Sequence, residues 1–463
     1  MVMEVGTMQN INLIRFSELY NWSVSHLLGQ DFEYNKNFPL VKIGKFLTKN
    51  NNVINLDNDT IYKRVTVSGN NGGVRLRNTE VGKNIGTKRQ FIVESGQFIL
   101  SKIDARNGAM GLVPEDLEGA IVTNDFPTYD VDTKAILPQF LLLITTTKKF
   151  IEFAQTCSSG TTNRQRIDLK KFLDVQIPLP PLNDADAIKQ GLPTDITQEK
   201  LVAEYNQKIK EAEQAKQNAI EKEAEIETYL YKELGIQKAE KKEAKKRLHF
   251  VRFKDMERWD SEYLLTELIE LNSDFPLVSY NNLFIDLYNG IPARHYSTEG
   301  VRFLKVADIR PNHISNHNIK HINSYKKTDL ITENTLLITR KGTVGNSIFI
   351  KDNNKYTASS EVFIIKLDTQ KVNGDYLSII NNSEFVQNQY REKNTGTIMP
   401  SISQNKLKEI KIPLPKSLEK QNDIVEKVSL IERTAKNYLD LSETLKTNAI
   451  KDFENIIFKT AVE

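Results

Sequence analysis

Two long segments without glycine or proline constrain this chain more than any other feature of its sequence. The first runs from Thr197 to Leu234 and the second from Ser417 to Phe458, and both are rich in strong helix formers. At a rise of about 1.5 Å per residue, a helix of such length extends roughly 55 Å, which exceeds the core of one small domain. Each predicted helix therefore needs a partner, and the simplest partner is the other one.

Apolar residues recur in both segments at alternating steps of three and four, as in a coiled coil. The second seam runs from Ile424 to Ile456. The first seam starts at Val202 and is interrupted by Lys216 and Glu223. We interpret these two residues either as positions that set the pairing register or as positions that face docked subunits. The seams predict an antiparallel helix pair with a pseudo-twofold axis.

A sequence duplication surrounds these segments. Matched stretches follow one another in the same order along the two halves of the chain, which indicates a repeated unit and not chance similarity. The matched pairs are Trp22 with Trp259, Pro-Leu-Val at 39–41 with 276–278, Gly-Thr at 160–161 with 396–397, and Ile-Pro-Leu-Pro at 177–180 with 412–415. Each unit thus contains a globular half, a proline-rich exit and a long helix.

The two globular halves combine strand and helix signals, so we predict a duplicated α/β (α+β) fold. We assign 1–195 and 250–416 to the two globular domains, and 196–249 and 417–463 to the long helices with a charged exit at 236–249. The predicted elements are strands at 96–103, 335–339 and 360–366, helices at 138–153 and 374–390, and a basic, glycine-broken loop at 81–91.

A glycine loop follows the matched strand of each half, at 101–108 and 339–345, and a polar loop precedes the last strand of each half, at 161–166 and 397–405. A glycine turn next to Arg or Lys lets the backbone approach a polyanion, and Asn, Gln, Arg and Ser can bond to base edges. The candidate DNA contacts in the first half are Lys63, Arg64, Arg75, Arg77, Lys83, Lys88, Arg89, Lys102, Arg106, Asn107, Asn163, Arg164, Gln165 and Arg166. Those in the second half are Arg294, His295, Lys305, Arg310, Arg340, Lys341, Ser401, Ser403, Gln404 and Asn405.

The composition excludes several classes of protein. The net charge is only +3, so nucleic acid would bind through local basic faces and not through a global field. The single Cys157 rules out an internal disulfide and fits a reducing cytoplasm. We also expect no membrane segment and no phosphate-binding loop, because neither pattern occurs in the sequence.

Two weak signals for chemistry remain. Asp132-Thr133-Lys134 could end a nuclease motif, although a turn at the end of a strand is the simpler interpretation. His313, His317 and His321 are spaced as metal ligands on a helix, but Pro311 and the neighbouring asparagines favour a loop. We therefore predict neither catalytic residues nor a metal site.

The doubled order of these motifs resembles the specificity subunit of type I restriction–modification enzymes. The resemblance is carried by 177–181 and 412–415 with the helices that follow them, by the tryptophans near the start of each half, and by the glycine loops. It implies that each half reads one part of a bipartite site in double-stranded DNA and that the helices set the gap between the parts. It also implies a non-catalytic chain without a cofactor. Two methylation subunits that bind S-adenosylmethionine, and a restriction subunit, would dock on it.

Two other functions remain open from the sequence. The chain could be a coiled-coil scaffold whose halves bind proteins, in which case it would show no salt-sensitive affinity for DNA. It could also be a nuclease that uses the Asp132 region.

Overall fold

The computed structural model of the chain describes residues 34–156, 158–159, 166–237, 272–292, 295–353, 355–394 and 399–458. It divides into two compact units, Met1–Ala215 with Asp440–Glu463 and Lys216–Leu439. The boundary crosses both long helices, so each unit holds one globular half and parts of two helices. Trp22, Trp259 and most of the predicted charged exit lie outside the described residues.

The first unit contains thirteen described strands and four described helices, together with the start of the long helix α5 (Gln198–Glu233). The strands are β1 Leu40–Lys42, β2 Leu47–Lys49, β3 Val53–Asn55, β4 Ile61–Val67, β5 Val74–Val81, β6 Arg89–Ile92, β7 Phe98–Leu100, β8 Met110–Leu112, β9 Ile121–Val122, β10 Thr128–Val131, β11 Ser158–Ser159, β12 Arg166–Ile167 and β13 Gln176–Pro178. The helices are α1 Pro138–Thr146, α2 Lys148–Thr156, α3 Leu169–Leu173 and α4 Asp184–Gln190.

The second unit repeats this order with fewer described strands. They are β14 Leu277–Ser279, β15 Phe284–Asn289, β16 Val301–Leu304, β17 Ile309–Arg310, β18 His313–Ile314, β19 His321–Ile322, β20 Thr335–Thr339, β21 Ser347–Ile350, β22 Tyr356–Ala358, β23 Val362–Leu367 and β24 Lys411–Pro413. The helices are α6 Gly374–Asn382, α7 Glu384–Lys393, α8 Gln404–Lys408 and the long α9 Leu418–Ile457.

Within each half, the repeated Pro-Leu-Val stretch pairs with the repeated Ile-Pro-Leu-Pro stretch. Strand β1 pairs with β13, placing Leu40 opposite Pro178. Strand β14 pairs with β24 in the same register, placing Leu277 opposite Pro413. The two matched motifs therefore form one small sheet that closes each globular half at its exit into a long helix, and the predicted duplication is confirmed.

A four-stranded antiparallel sheet forms the centre of each half. Its strand order is β2-β10-β7-β8 in the first half and β15-β23-β20-β21 in the second. One face of this sheet packs on a pair of helices, α1 with α2 or α6 with α7. We predicted a single helix in each place, which was wrong. The helices break at Thr147 and Ser383, whose hydroxyl groups donate to Ile144 O and Ile380 O and so compete with the helical backbone bonds.

The long helices run antiparallel within each unit, as predicted. In the first unit Lys208 Nζ lies 2.6 Å from Asp452 Oδ2, and Ser442 Oγ donates to Ala212 O at 2.7 Å. In the second unit Lys420 forms an ion pair with Glu233. Residue numbers thus rise along one helix as they fall along the other.

The predicted first seam is confirmed at Ala212 and Ala219, which are buried, but it was wrong at Lys216 and Glu223, which are exposed. Beside Lys216, the buried position is Ala215. The small alanine side chains allow the two helix backbones to approach closely. Lys216 and Glu223 therefore do not set the pairing register from within the seam.

The end of a long helix also completes each hydrophobic core. The rings of Phe140 and Phe453 meet edge to face at 5.7 Å between centroids in the first unit. Tyr231 and Phe385 meet in the same way at 5.6 Å in the second. Such pairs add to the free energy gained from burial alone. Each globular half is thereby held on two helices, the one that follows it and the end of the other.

Candidate DNA interface

One turn is repeated in both halves, directly after the central strands β7 and β20. In the first half Lys102 N donates to Asp125 O at 2.8 Å, and Ile167 N donates to Lys102 O at 2.8 Å. In the second half Arg340 N donates to Glu361 O at 3.0 Å, and Ile402 N donates to Arg340 O at 2.9 Å. Lys102 and Arg340 therefore occupy the same place in one backbone frame, here called the cation turn. In the second half this frame brings the predicted glycine loop and polar loop together, and in the first half it joins Lys102 to Ile167, the residue after Arg166.

The cation turn of the first half holds three cationic groups around one carboxylate. A guanidinium nitrogen of Arg166 lies 3.2 Å from a carboxylate oxygen of Asp125. Burial lowers the pKa of Lys102, and the charges of Lys49 and Arg166 act in the same direction while Asp125 opposes them. Such a cluster gains from an anionic ligand that neutralises the excess positive charge.

The cation turn of the second half has a different chemistry. The guanidinium carbon of Arg340 lies over the ring of Phe363, 5.4 Å from its centroid, and Nη1 donates to Ser360 O at 3.3 Å. Lys341 lies 3.7 Å from Glu361 and forms a β-bridge with Ser401. The ring attracts the guanidinium and holds it at this turn, and an arginine is the side chain that makes bidentate contacts with a guanine edge.

The remaining polar candidates of the second half differ in their roles. Gln404 Nε2 donates to Asn289 Oδ1 at 3.3 Å, which places two amide side chains beside the cation turn. Ser403 caps helix α8 by accepting a hydrogen bond from Lys406 N. Asn405 is exposed on α8. Ser403 is thus used to cap a helix. Gln404 and Asn405 are at least partly exposed, and their amide groups can form further hydrogen bonds.

A second candidate surface in the first half is the hairpin of β4 and β5, which ends the five-stranded sheet β3-β6-β9-β4-β5. Its register places Thr66 opposite Arg75 and Arg64 opposite Asn78, with a bulge between them that leaves Arg77 outside the pairing. Arg75 and Arg77 are exposed and Arg64 is partly so, and their side chains form no hydrogen bond or ion pair with any described residue. A two-stranded ribbon of this kind fits the major groove of B-DNA.

The tip of this ribbon is anchored to the predicted glycine loop. Asn70 N donates to Asn107 O at 2.6 Å, and Asn71 Nδ2 donates to Thr146 O at the end of α1. Gln155 Nε2 donates to Arg106 O from helix α2. The structure therefore brings Arg106 and Asn107 next to the ribbon.

Other first-half candidates serve the fold. The Lys88 ammonium donates to Asn58 Oδ1 at 2.8 Å and to Gly82 O at 2.6 Å, and the Lys63 ammonium donates to Asp116 O. Lys83 and Arg89 are exposed. The 81–91 stretch was predicted as a loop, and residues 82–88 form one, whereas its ends belong to β5 and β6.

In the second half the equivalent region is a three-stranded sheet, β19-β16-β22, with a separate β17–β18 hairpin. Arg310 is exposed on this hairpin without a described side-chain partner, and His295 is exposed as well. Lys305 is engaged by Asn318 O and Asp308. Asn163, Arg164, Gln165 and Arg294 lie outside the described residues.

Sequence reasoning missed two residues in this region. Arg302 donates to Asn316 Oδ1 and Ser315 O and lies over the ring of Tyr356. Asn312, in a left-handed turn with φ 58°, donates through Nδ2 to Glu432 Oε1 on helix α9. The signal for Arg302 was its polar position within a short apolar strand. The contact between Asn312 and Glu432 joins residues 120 positions apart and has no local signal.

The weak signals for chemistry take simple forms in the structure. Asp132 Oδ1 accepts a hydrogen bond from Lys134 N in a turn after β10. His313 and His321 lie on strands and His317 lies between them, so the three do not share a helix face. In the described ranges no group of three or more His, Cys, Asp or Glu side chains could hold a metal ion. No helix among those residues is long and apolar enough to cross a membrane.

Comparison with known proteins places these features in a family. The family model of the type I restriction modification DNA specificity domain matches residues 31–222 and again 295–446. No curated protein sequence matches the chain.

Solved structures are similar to this chain, and the first of the three described here has a TM-score that shows a shared fold. One, from a study of complex assembly and conformational transition of the type I R-M system, has a TM-score of 0.59 at 16% identity and covers 92% of this chain and 98% of its own. The HsdS subunit from Thermoanaerobacter tengcongensis gives 0.46 at 15% identity, covering 93% and 99%. An S subunit from M. genitalium gives 0.41 at 11% identity, covering 92% and 98%.

The two matched ranges account for more than half of the chain, and each includes a cation turn and part of a long helix. The chain therefore belongs to the type I restriction modification DNA specificity domain family, with two copies of the domain.

Proposed function

We propose that this chain is a DNA-reading specificity subunit in which each half recognises one part of a bipartite site. The cation turn carries this proposal. One backbone frame holds the cations Lys49, Lys102 and Arg166 in the first half. In the second half it holds Arg340 over the ring of Phe363. Equal frames with unequal side chains suit two readers of different base sequences, because phosphate contacts position a protein while side-chain contacts specify bases.

The long helices would serve two purposes. Their antiparallel pairing would fix the distance between the two recognition halves, and their outer faces would bind two methylation subunits. Large apolar side chains remain exposed on these helices, including Ile220 and Leu430 in the second unit and Leu441 in the first. Exposed apolar residues on a charged helix support a docking face for a protein partner.

We assign no catalytic step to this chain. The methylation subunits would bind S-adenosylmethionine and modify adenine, and a restriction subunit would join the assembly. In this mechanism the chain contributes geometry only: it selects the site and places the partner subunits relative to it.

The most direct test maps methylated adenines across the genome with and without this gene. We expect methylation to disappear at one bipartite motif, and an unchanged map would refute the proposal. Exchanging residues 40–180 for those of another family member is the matched experiment, and it should change one part of the motif and leave the other part intact.

A binding experiment separates this proposal from a protein-binding scaffold. The chain with its methylation subunits should bind duplex DNA that carries the mapped motif. The affinity should fall steeply as the salt concentration rises, because cations on the protein displace counterions from phosphate. A scaffold would show no such affinity.

A further inference from the structure

A buried glutamine stands near the start of each long helix. Gln198 is the first residue of α5, and Gln421 lies in the first turn of α9. Both side chains are completely buried. Glutamine is mostly exposed in folded proteins, and a buried amide is tolerated only when its polar atoms are hydrogen-bonded.

The two glutamines make the same set of hydrogen bonds. Gln198 Oε1 accepts from Leu137 N at 2.8 Å, and Gln421 Oε1 accepts from Asn373 N at 2.7 Å. Leu137 and Asn373 are the residues that immediately precede helices α1 and α6. Each oxygen therefore contacts the start of the first helix in its globular half.

The amide nitrogens also have equivalent partners. Gln198 Nε2 donates to Pro180 O at 2.9 Å and to Ala135 O at 3.4 Å. Gln421 Nε2 donates to Pro415 O at 2.9 Å and to Lys371 O at 3.4 Å. Pro180 and Pro415 end the repeated Pro-Leu-Pro motif. One side chain thus ties together the long helix, the exit of the globular half and that half's first helix.

The chain reaches this arrangement by two different routes. Gln421 follows its proline partner by 6 residues, whereas Gln198 follows Pro180 by 18 residues because helix α4 lies between them. An insertion of this size would displace the glutamine if only its sequence position mattered. The recurrence of the same contacts shows that the junction itself is the constrained feature.

We propose that Gln198 and Gln421 are positioning residues that fix the angle of each recognition half on its long helix. They thereby determine how many base pairs separate the two parts of the DNA site. The inference rests on the proposed function, because it needs two half-sites with a defined gap. Without the amide, the Pro-Leu-Pro exit and the first helix of the half lose their shared partner, and the half can turn about its exit.

The test uses the full chain assembled with its methylation subunits in cells. Once the wild-type motif is mapped, a plasmid library carries both half-sites with spacers from two base pairs shorter to two base pairs longer. The variants are Gln198→Met and Gln421→Met, which keep the side-chain length and remove both polar atoms. Gln207→Met is the control, because Gln207 is exposed on the same α5 helix and its side chain bonds, among the described residues, to Glu211 one turn further along that helix.

Wild type should methylate the native spacer in preference to spacers one base pair longer or shorter. We expect this preference to be about tenfold smaller in each variant of Gln198 or Gln421. The bases required in both half-sites should stay the same, and the Gln207 variant should behave as wild type. Unchanged spacer discrimination together with a lower Tm would overturn the proposal, because it would leave the glutamines a purely structural role.

Gln198→Glu and Gln421→Glu provide a second pair of variants in case the methionine variants fail to assemble. At a fully buried site beside two carbonyl oxygens the Glu side chain is protonated, so it keeps the size of the side chain, the acceptor for Leu137 N or Asn373 N and one donor, and loses one donated bond. If assembly fails in both variant pairs, the glutamines are needed for folding and the positioning role is refuted. A wild-type chain without any bipartite motif would instead refute the proposed function.

Discussion

The two halves of this protein share a frame and differ on their surfaces. The sheet at each exit, the central four-stranded sheet, the helix pair and the cation turn recur in both. The outer elements do not: the first half adds a five-stranded sheet, and the second adds a three-stranded sheet and a short hairpin. Packing against the long helices constrains the frame in both halves. The outer elements lack this constraint and can differ between the halves, as two readers of different DNA sequences require.

The cores also differ at three equivalent positions. The first half has Ile43, Thr145 and Ala154, and the second has Tyr280, Asn381 and Tyr390, all six of them buried. In the second half both tyrosine hydroxyls donate to Asn381 Oδ1, and Asn381 Nδ2 donates to Gly345 O at 2.7 Å. Gly345 ends the glycine loop beside Arg340. A polar network inside the second core therefore supports its cation turn, whereas the first core fills the same space with apolar side chains and a locally bonded threonine.

Breaking this network gives the largest predicted effect. Asn381→Leu removes the acceptor of two buried phenol hydroxyls and one of the two donors to Gly345 O, which keeps its bond from Gln387 Nε2. We therefore expect a loss of about 3–5 kcal/mol in the free energy of unfolding of the second unit. The matched change Thr145→Val removes only a bond to Leu142 O within α1. It should cost less than about 1.5 kcal/mol. Hydrogen exchange resolved by unit measures both, and equal losses would contradict the special role of the network.

The next largest effect concerns the reading surfaces, the β4–β5 ribbon of the first half and the β17–β18 hairpin of the second. Arg75 on the first-half ribbon and Arg310 on the second-half hairpin are exposed and have no described side-chain partner. Arg75→Ala should weaken binding by about 1–3 kcal/mol and relax the first half-site only, and Arg310→Ala should do the same for the second.

Binding titrations with DNA altered in one half-site at a time provide the measurement. Lys189→Ala is the control, because Lys189 is exposed on α4, away from both reading surfaces in sequence. A uniform loss of affinity on all sequences would show that the arginine contacts phosphate and not a base.

The sequence predicted those parts of the fold that have a local signal. The long helices, the proline exits and strand β20 follow from helix propensity, proline chemistry and apolar runs, and the duplication follows from self-comparison. The helix breaks at Thr147 and Ser383 were missed because a single hydroxyl within an apolar run does not reveal whether it will compete for backbone bonds. The seam of α5 was predicted correctly at Ala212 and Ala219 but not at Lys216, because a strict alternation of three and four residues passes over Ala215, which the structure buries.

The candidate interface was predictable only in part. The glycine loops and the basic residues of β4 and β5 stand out in the sequence, but their assembly depends on short strands that pair over long distances. Lys88 and Lys305 illustrate the limit. The sequence marks them as basic candidates in the same way as Arg75 and Arg310, but their ammonium groups donate to the protein's own backbone. Charge alone does not distinguish a residue that contacts DNA from one that stabilises a loop.

Alkaline pH should distinguish the two units further. Burial raises the pKa of Tyr280, Tyr376 and Tyr390 in the second half, whereas in the first half it raises that of Tyr129 to about 12. A phenol whose pKa is higher in the folded state contributes its full stability below the ordinary tyrosine pKa of about 10 and loses it as the pH rises.

Both units should lose stability above pH ~10, and the second unit should lose it more steeply, by roughly 1.4 kcal/mol per pH unit for each shielded phenol. Unit-resolved hydrogen exchange, referenced to exchange of unstructured peptide at each pH, measures this loss. Parallel losses in the two units would contradict it. Tyr390→Phe is the matched variant, since it removes one titrating group and should reduce the slope of the second unit.

The smallest effect tests the contact between the second half and its helix. Glu432 on α9 accepts a hydrogen bond from Asn312, and burial is the main cause that raises the pKa of its carboxyl group. With a raised pKa, the favourable contribution of this group to the stability of the fold is complete at acidic pH and is lost as the pH rises through the shifted pKa.

Glu432→Gln keeps the acceptor for Asn312 and removes the charge. It should stabilise the second unit at neutral pH by less than about 1 kcal/mol, since the partly exposed carboxylate is screened by solvent. The gain should vanish near pH 4, where the wild-type carboxyl group is protonated, and the exposed control Glu426→Gln should show no such dependence. If Glu432→Gln instead lowers the Tm at neutral pH, the negative charge of Glu432 stabilises the junction and the prediction is contradicted.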